Sequence, residues 1–246
     1  MASGSITSCI SNGPRQVSPL NPLSTGRFRA VLFDLDGTLV DTAPDMVAAL
    51  QDLQRDHAVE PVSYELGRST VSNGAIGLLR LGFPGIEGAA QGDLLCDYID
   101  RYAVRVCRET VLFDGIDMLL RQLEQARRPW GVVTNKPGHL TTPLLEQLAL
   151  SNRVACAVSG DTLPQKKPDP APLLHACRLA GVPPSETVYI GDAARDIEAG
   201  RRAGMATVAA AYGYITDDDD PARWGADRIA ADTGELTQIV LKAVNL

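Results

Sequence analysis

The sequence predicts an α/β protein: a doubly wound, Rossmann-like parallel sheet core with an inserted small α-helical cap domain. Three observations carry this reading. Short apolar runs alternate with helical patterns from residue 112 onward. Another apolar run, residues 28–33, stands alone ahead of them. Between the two, over residues 45–110, every segment has helical character and no convincing strand intervenes.

The elements follow in order. Residues 28–33 form a buried strand, apolar throughout as a strand covered on both faces must be. "DTAPDMVAALQDLQRDHA" is a helix, with Thr42 or Asp45 as its N-cap and Pro44 in its first turn. "SYELGRSTVSNGAIGLLRLG" and "GDLLCDYIDRYAVRVCRE" continue the helical block. After Phe113 the pattern changes. "GIDMLLRQLEQARR" is a helix, "PWGVVTNKP" a strand with a polar end, "GHLTTPLLEQLAL" a helix and "VACAVSG" a strand. "PAPLLHACRLAG" is a helix closed by Gly181, "TVYIGD" a strand with a polar end, "ARDIEAGRRAG" a helix and "ATVAAAYG" a strand. Such alternation makes βαβ units and a parallel sheet. The core is therefore expected from residues 27–43 and 112–246, and the cap from residues 44–111. Residues 1–26, rich in Ser, Pro, Asn and Gly, read as a disordered extension without the apolar stretch of a secretory signal.

Composition narrows the function classes. A net charge of −7 disfavours nucleic acid and anionic membranes as partners. No apolar run approaches the roughly 18–20 residues of a membrane span. Cys9, Cys96, Cys107, Cys156 and Cys177 form no C-x-x-C pair and fit reduced thiols in a cytoplasmic protein. His57, His139 and His175 have no metal-ligand spacing, and Asp217 to Asp220 read as a solvated loop. The remaining candidate partner is a small molecule, met by a monomer or weak homodimer.

Open parallel sheets bind ligands beyond the carboxyl ends of their strands. Three strands here end in polar groups: Asp34 and Asp36, Thr134 and Asn135, and Asp192. Lys167, in "KKPDP", lies between them in sequence. If the strands are neighbours, Asp34, Asp36, Asp192 and Asp196 crowd one crevice. Two like charges 4 Å apart repel by roughly 4 kcal/mol at an effective dielectric of 20. Such a cluster needs a cation or raised pKa values. Its hard oxygen donors suit Mg²⁺. A metal, a lysine and a hydroxyl are what phosphoryl transfer requires, and a carboxylate beside the metal can attack phosphorus. A second carboxylate two positions on can serve as general acid and base.

Together, "DLDGTLVDT", "VVTNKP", "KKPDP" and "GDAARD" resemble the motifs of the haloacid dehalogenase-like hydrolases in order and spacing. That resemblance implies Asp34 as nucleophile and Asp36 as general acid/base. It implies Asp34, the Asp36 carbonyl and Asp192 as metal ligands. Thr134 and Asn135 would bind phosphate, Lys167 would steady nucleophile and phosphate, and Asp196 would stand in the metal's outer shell or hold Lys167. The helical insert resembles the cap of the phosphoglycolate phosphatase and β-phosphoglucomutase group, hinged at residues 41–45 and 109–114. Ser72, Asn73 and Gly74 would meet substrate from the cap side. "WGVVTNKP" and "YGYITDDDDPARWGAD" resemble phosphoglycolate phosphatases and N-acetylmuramic acid 6-phosphate phosphatases. The activity so implied is hydrolysis of a small phosphorylated metabolite through an aspartyl phosphate. A phosphomutase is the alternative; Thr38 tilts against it, and Asp36 against a dehalogenase. A binding module that has lost catalysis fits poorly with so complete a motif set.

Overall fold

A computed structural model of the chain describes residues 23, 26–216 and 218–246. The expectation for residues 1–26 thus falls almost wholly outside the described residues, as does Asp217. The chain opens with β1 (Ala30–Phe33), then β2 (Val40–Asp41). Four helices follow: α1 (Ala43–Asp56), α2 (Tyr64–Thr70), α3 (Gly74–Gly82) and α4 (Gly88–Arg105). A second short strand, β3 (Val111–Leu112), pairs antiparallel with β2. The rest alternates: α5 (Ile116–Gln125), β4 (Trp130–Val133), α6 (Gly138–Gln147), β5 (Cys156–Val158), α7 (Ala171–Ala180), β6 (Thr187–Gly191), α8 (Ala194–Arg202) and β7 (Ala206–Ala210). β8 (Arg228–Ala230) and α9 (Thr233–Val244) complete it.

Six strands form one parallel sheet in the order β5-β4-β1-β6-β7-β8. β1 is central, with β4 on one side and β6 on the other. The strand period of two sorts their side chains onto opposite faces. Val31, Phe33, Val132, Val188 and Ile190 join the cluster that includes Leu119, Leu120 and Leu123 of α5 and Leu236 and Val240 of α9. Leu32, Val133 and Tyr189 join the cluster that includes Leu173, Ala176 and Cys177 of α7. Both faces are covered, so β1, β4, β6 and β7 are buried along their whole length. No described helix is long and apolar enough to cross a membrane.

The structure adds what the sequence pattern left out. β8 and α9 follow the last expected strand; β8 is three residues long with two exposed, which gives it little apolar signal. The helical stretch "SYELGRSTVSNGAIGLLRLG" is divided into α2 and α3 by a 3-10 turn at Val71–Asn73, with Gly74 at φ +68. The β2–β3 ribbon forms the neck between core and cap, and four residues in all were too few to show a period.

Of the two N-cap candidates for α1, the structure takes Thr42 and not Asp45, with no capping bond from its side chain. Thr42 stands at the capping position, but its hydroxyl donates to Asp36 Oδ1 at 2.7 Å. Asp45 turns inward, fully buried, and accepts from the Glu109 amide (3.0 Å), the Thr110 amide (2.9 Å) and the Thr110 hydroxyl (2.7 Å). The two sides of the neck are thereby tied through one carboxylate. Replacing Asp45 by Ala orphans several buried donors and is expected to destabilise the fold by about 2–3 kcal/mol, read from the urea midpoint.

Candidate active site

β4, β1 and β6 are adjacent, so Thr134, Asp34 and Asp192 emerge side by side at one sheet edge. The order reverses at β1, which makes this edge the switch point of the sheet. Asp34, Asp192 and Asp196 are all buried, and each offers an oxygen within 4.8 Å of the others'. Lys167, 3 % exposed, supplies the opposing charge. Its ammonium lies 2.8 Å from Asp34 Oδ1 and 2.7 Å from Asp196 Oδ1. It also donates to the Val133 carbonyl and the Tyr189 hydroxyl, each at 2.9 Å. The Asn135 side chain clamps the Lys167 backbone, donating to its carbonyl and accepting from its amide, each at 3.0 Å.

Electrostatics follow from this crowding. Burial raises the Asp34 pKa to about 6; Asp196 adds to the rise, while Lys167 opposes it. Burial raises Asp192 further, to about 7, with Asp34 and Asp196 contributing. Burial disfavours the Lys167 ammonium, but Asp196 and Asp34 more than offset this and its pKa stands above the ordinary lysine value. Carboxylates only partly relieved by Lys167 make a site that favours further positive charge. Asp192 Oδ1 is buried without a hydrogen-bond partner among the described residues. Its Oδ2 is occupied, accepting from the Tyr214 amide at 2.9 Å and the Ser72 hydroxyl at 2.6 Å. Hard oxygens, one of them orphaned, fit a divalent cation held by Asp34 and Asp192. Asp196 is spoken for by Lys167 and by the Ala193 amide at 3.1 Å. Gly37, at φ +81, passes so close to Asp192 that a Cβ there would collide with the carboxylate and with the Tyr214 ring.

A cavity of about 150 Å³ opens over this edge. Its floor holds Asp34, Asp36, Thr134 and Asn135; its roof is Met46, Val71, Ala75, Tyr98 and Tyr102 of the helical insert. The Thr134 hydroxyl accepts from the Lys136 amide at 3.1 Å, leaving its proton for a ligand. Ser72 and Gly74 line the cavity, whereas Asn73 lies in a neighbouring cleft with Asp219 and Tyr214. Two cations escaped the sequence reading. Arg195 lines the cavity and donates to the Ser72 carbonyl at 2.7 Å, joining core to cap. Lys136 is buried against Asp36, 2.9 Å away. Each sits inside a quoted motif, "VVTNKP" and "GDAARD", where the neighbouring polar groups drew the attention.

A helical roof over the switch point of such a sheet, with acids and a lysine beneath it, defines a capped α/β hydrolase. More narrowly, the chain belongs to the haloacid dehalogenase-like hydrolases, whose family model matches residues 31–210. A phosphoglycolate phosphatase of Xanthomonas campestris pv. campestris is 42% identical over 208 residues, 85% of this chain and 94% of that protein. An N-acetylmuramic acid 6-phosphate phosphatase of Pseudomonas aeruginosa is 41% identical over 219 residues, 89% of this chain and 97% of that protein. Among solved structures, a predicted phosphoglycolate phosphatase from Haemophilus somnus superposes with a TM-score of 0.76 at 27% identity, covering 87% of this chain and 98% of that one.

The raised acids set a stability slope. A carboxyl whose folded pKa lies above its free value binds its proton more tightly when folded. The stability contributed by Asp34 and Asp192 is therefore full below 3.8 and is lost as pH rises through about 6 and 7. Urea unfolding in EDTA is expected to show this decline, and Asp192→Asn is expected to flatten it.

Proposed function

We propose that this protein is a Mg²⁺-dependent phosphomonoesterase acting on a small alkyl phosphate, with 2-phosphoglycolate and N-acetylmuramic acid 6-phosphate as the leading substrates. The observation that carries the reading is Asp34 gathered with Asp192 and Asp196 within 4.8 Å, with Lys167 2.8 Å from the Asp34 carboxylate. Relatives named for those two substrates match at 42% and 41% identity across nearly their whole length.

The chain's own groups divide the work. Asp34 attacks phosphorus as its ester bond to the leaving oxygen breaks, and Asp36 gives that oxygen a proton. Water then attacks the aspartyl phosphate, returning a proton to Asp36 and releasing phosphate and free Asp34. Lys167 holds the Asp34 carboxylate in place and adds positive charge at the phosphoryl group. The Thr134 hydroxyl and the Asn135 backbone N–H bind the phosphoryl oxygens. Asp34, the Asp36 carbonyl and Asp192 would hold a divalent cation, which would supply neutralisation of phosphoryl charge. The cap roof excludes water and must open for exchange of product. Free, buried Cys156 and Cys177 suit the reducing cytoplasm.

Phosphate release from a panel holding both substrates and common sugar phosphates tests the reading, and kcat/KM ranks them. Asp34→Asn is expected to abolish turnover; retained Mg²⁺-dependent activity in that variant removes Asp34 from the nucleophile's role. Mg²⁺ at about 100 times its Kd is expected to stabilise the fold at pH 7.5 by about 2.7 kcal/mol. That gain should vanish in Asp192→Asn.

A further inference from the structure

Lys136 has no part in the steps above, yet it is among the most enclosed charges in the molecule, its side chain 5% exposed. Its ammonium donates to Asp36 Oδ1 at 2.9 Å and to the Tyr102 hydroxyl at 2.8 Å. It also sits 4.5 Å from the centroid of the Tyr102 ring, and its third direction meets Met46 Sδ at 3.9 Å. Asp36 Oδ1 accepts a second bond, from the Thr42 hydroxyl at 2.7 Å.

We infer that Lys136 is a positioning residue for the general acid/base: it pins one oxygen of Asp36, aims the other at the leaving-group oxygen, and is itself held in place by Tyr102 of the cap. The inference rests on the phosphatase reading. Two donors arriving at Oδ1 from different elements, Lys136 after β4 and Thr42 at the neck, fix the carboxylate plane. Oδ2 is left as the oxygen that can serve the ligand, and Asp36 and Lys136 both line the cavity. A carboxylate free to rotate would spend little time within hydrogen-bond reach of the ester oxygen.

The arrangement also links the cap to the chemistry. Asp36 and Lys136 belong to the core, while Tyr102 belongs to α4. Closing the cap delivers the Tyr102 hydroxyl and ring face to the ammonium; opening it removes both. Two of the three N–H groups of Lys136 are committed in the closed arrangement and the third faces a thioether. The ammonium is thus occupied with alignment, and Lys167 is the cation beside the nucleophile. The proton that reaches the leaving oxygen comes from Asp36; Lys136 transfers none.

The readout is leaving-group dependence. An alkyl ester needs its oxygen protonated as the bond breaks, whereas p-nitrophenolate leaves without help. kcat/KM is measured for p-nitrophenyl phosphate and for whichever of 2-phosphoglycolate and N-acetylmuramic acid 6-phosphate the wild type hydrolyses. In Lys136→Met the alkyl ester is expected to lose about 100-fold, within the usual worth of a general acid, and the aryl ester under about 10-fold. Lys136→Arg should recover most of the alkyl activity, and Tyr102→Phe should show the same selective loss in weaker form. Equal losses on both esters, or unchanged alkyl turnover in folded Lys136→Met, overturn the inference. Should Lys136→Met fail to fold, Tyr102→Phe decides: selective alkyl loss supports the role, and none overturns it. A wild type that hydrolyses neither ester refutes the phosphatase reading itself, a different result from a flat ratio in the variants.

Discussion

The structure depends on one constraint: three buried carboxylates share a single ammonium at the end of the central strand. Lys167 reaches Asp34 and Asp196 directly, and Asp192 completes the group without a cation of its own in contact. Desolvating carboxylates is costly unless positive charge compensates them. Lys167 compensates in part, as the raised pKa values of Asp34 and Asp192 record. Arg195 lowers the Asp34 pKa as well, and a divalent ion would balance further charge. Stability and binding are thus opposed here, and the rest of the fold holds the group together against its own repulsion.

The sheet supplies that restraint. β1, β4 and β6 are covered on both faces, so the strand ends cannot splay without exposing core residues such as Phe33, Val133 and Ile190. Loops beyond the edge are tied to one another rather than left free. The Asn135 side chain grips the Lys167 backbone with two bonds, and the Asp192 carboxylate accepts from the Tyr214 amide. Gly37 lets the first loop lie flat against Asp192. Each device removes a degree of freedom from a charged side chain, which is how electrostatic preorganisation is built from backbone.

The cap is fastened at its neck and at its contacts with the core. At the neck, Asp45 accepts from both residues 109 and 110. Across the cavity, Ser72 meets Asp192, Arg195 meets the Ser72 carbonyl, and Tyr102 meets Lys136. These three contacts are polar and reach Asp192, Arg195 and Lys136 at the sheet edge.

By itself, the sequence determined the class of fold and pointed to most of the residues that line the candidate site. Period and alternation marked the strands of the sheet, because strands buried on both faces must be apolar throughout and must end where polarity begins. Asp34, Thr134 and Asp192 were legible for the same reason: each follows an apolar run, whereas Lys167 was marked by its place in "KKPDP". Tertiary structure decided what has no local signature. β8 and the β2–β3 ribbon are too short for a period. The partners of Asp45, Ser72, Arg195 and Lys136 lie 34 to 123 residues away in sequence. A side chain's composition shows that it carries charge; only the folded chain shows which distant group it faces.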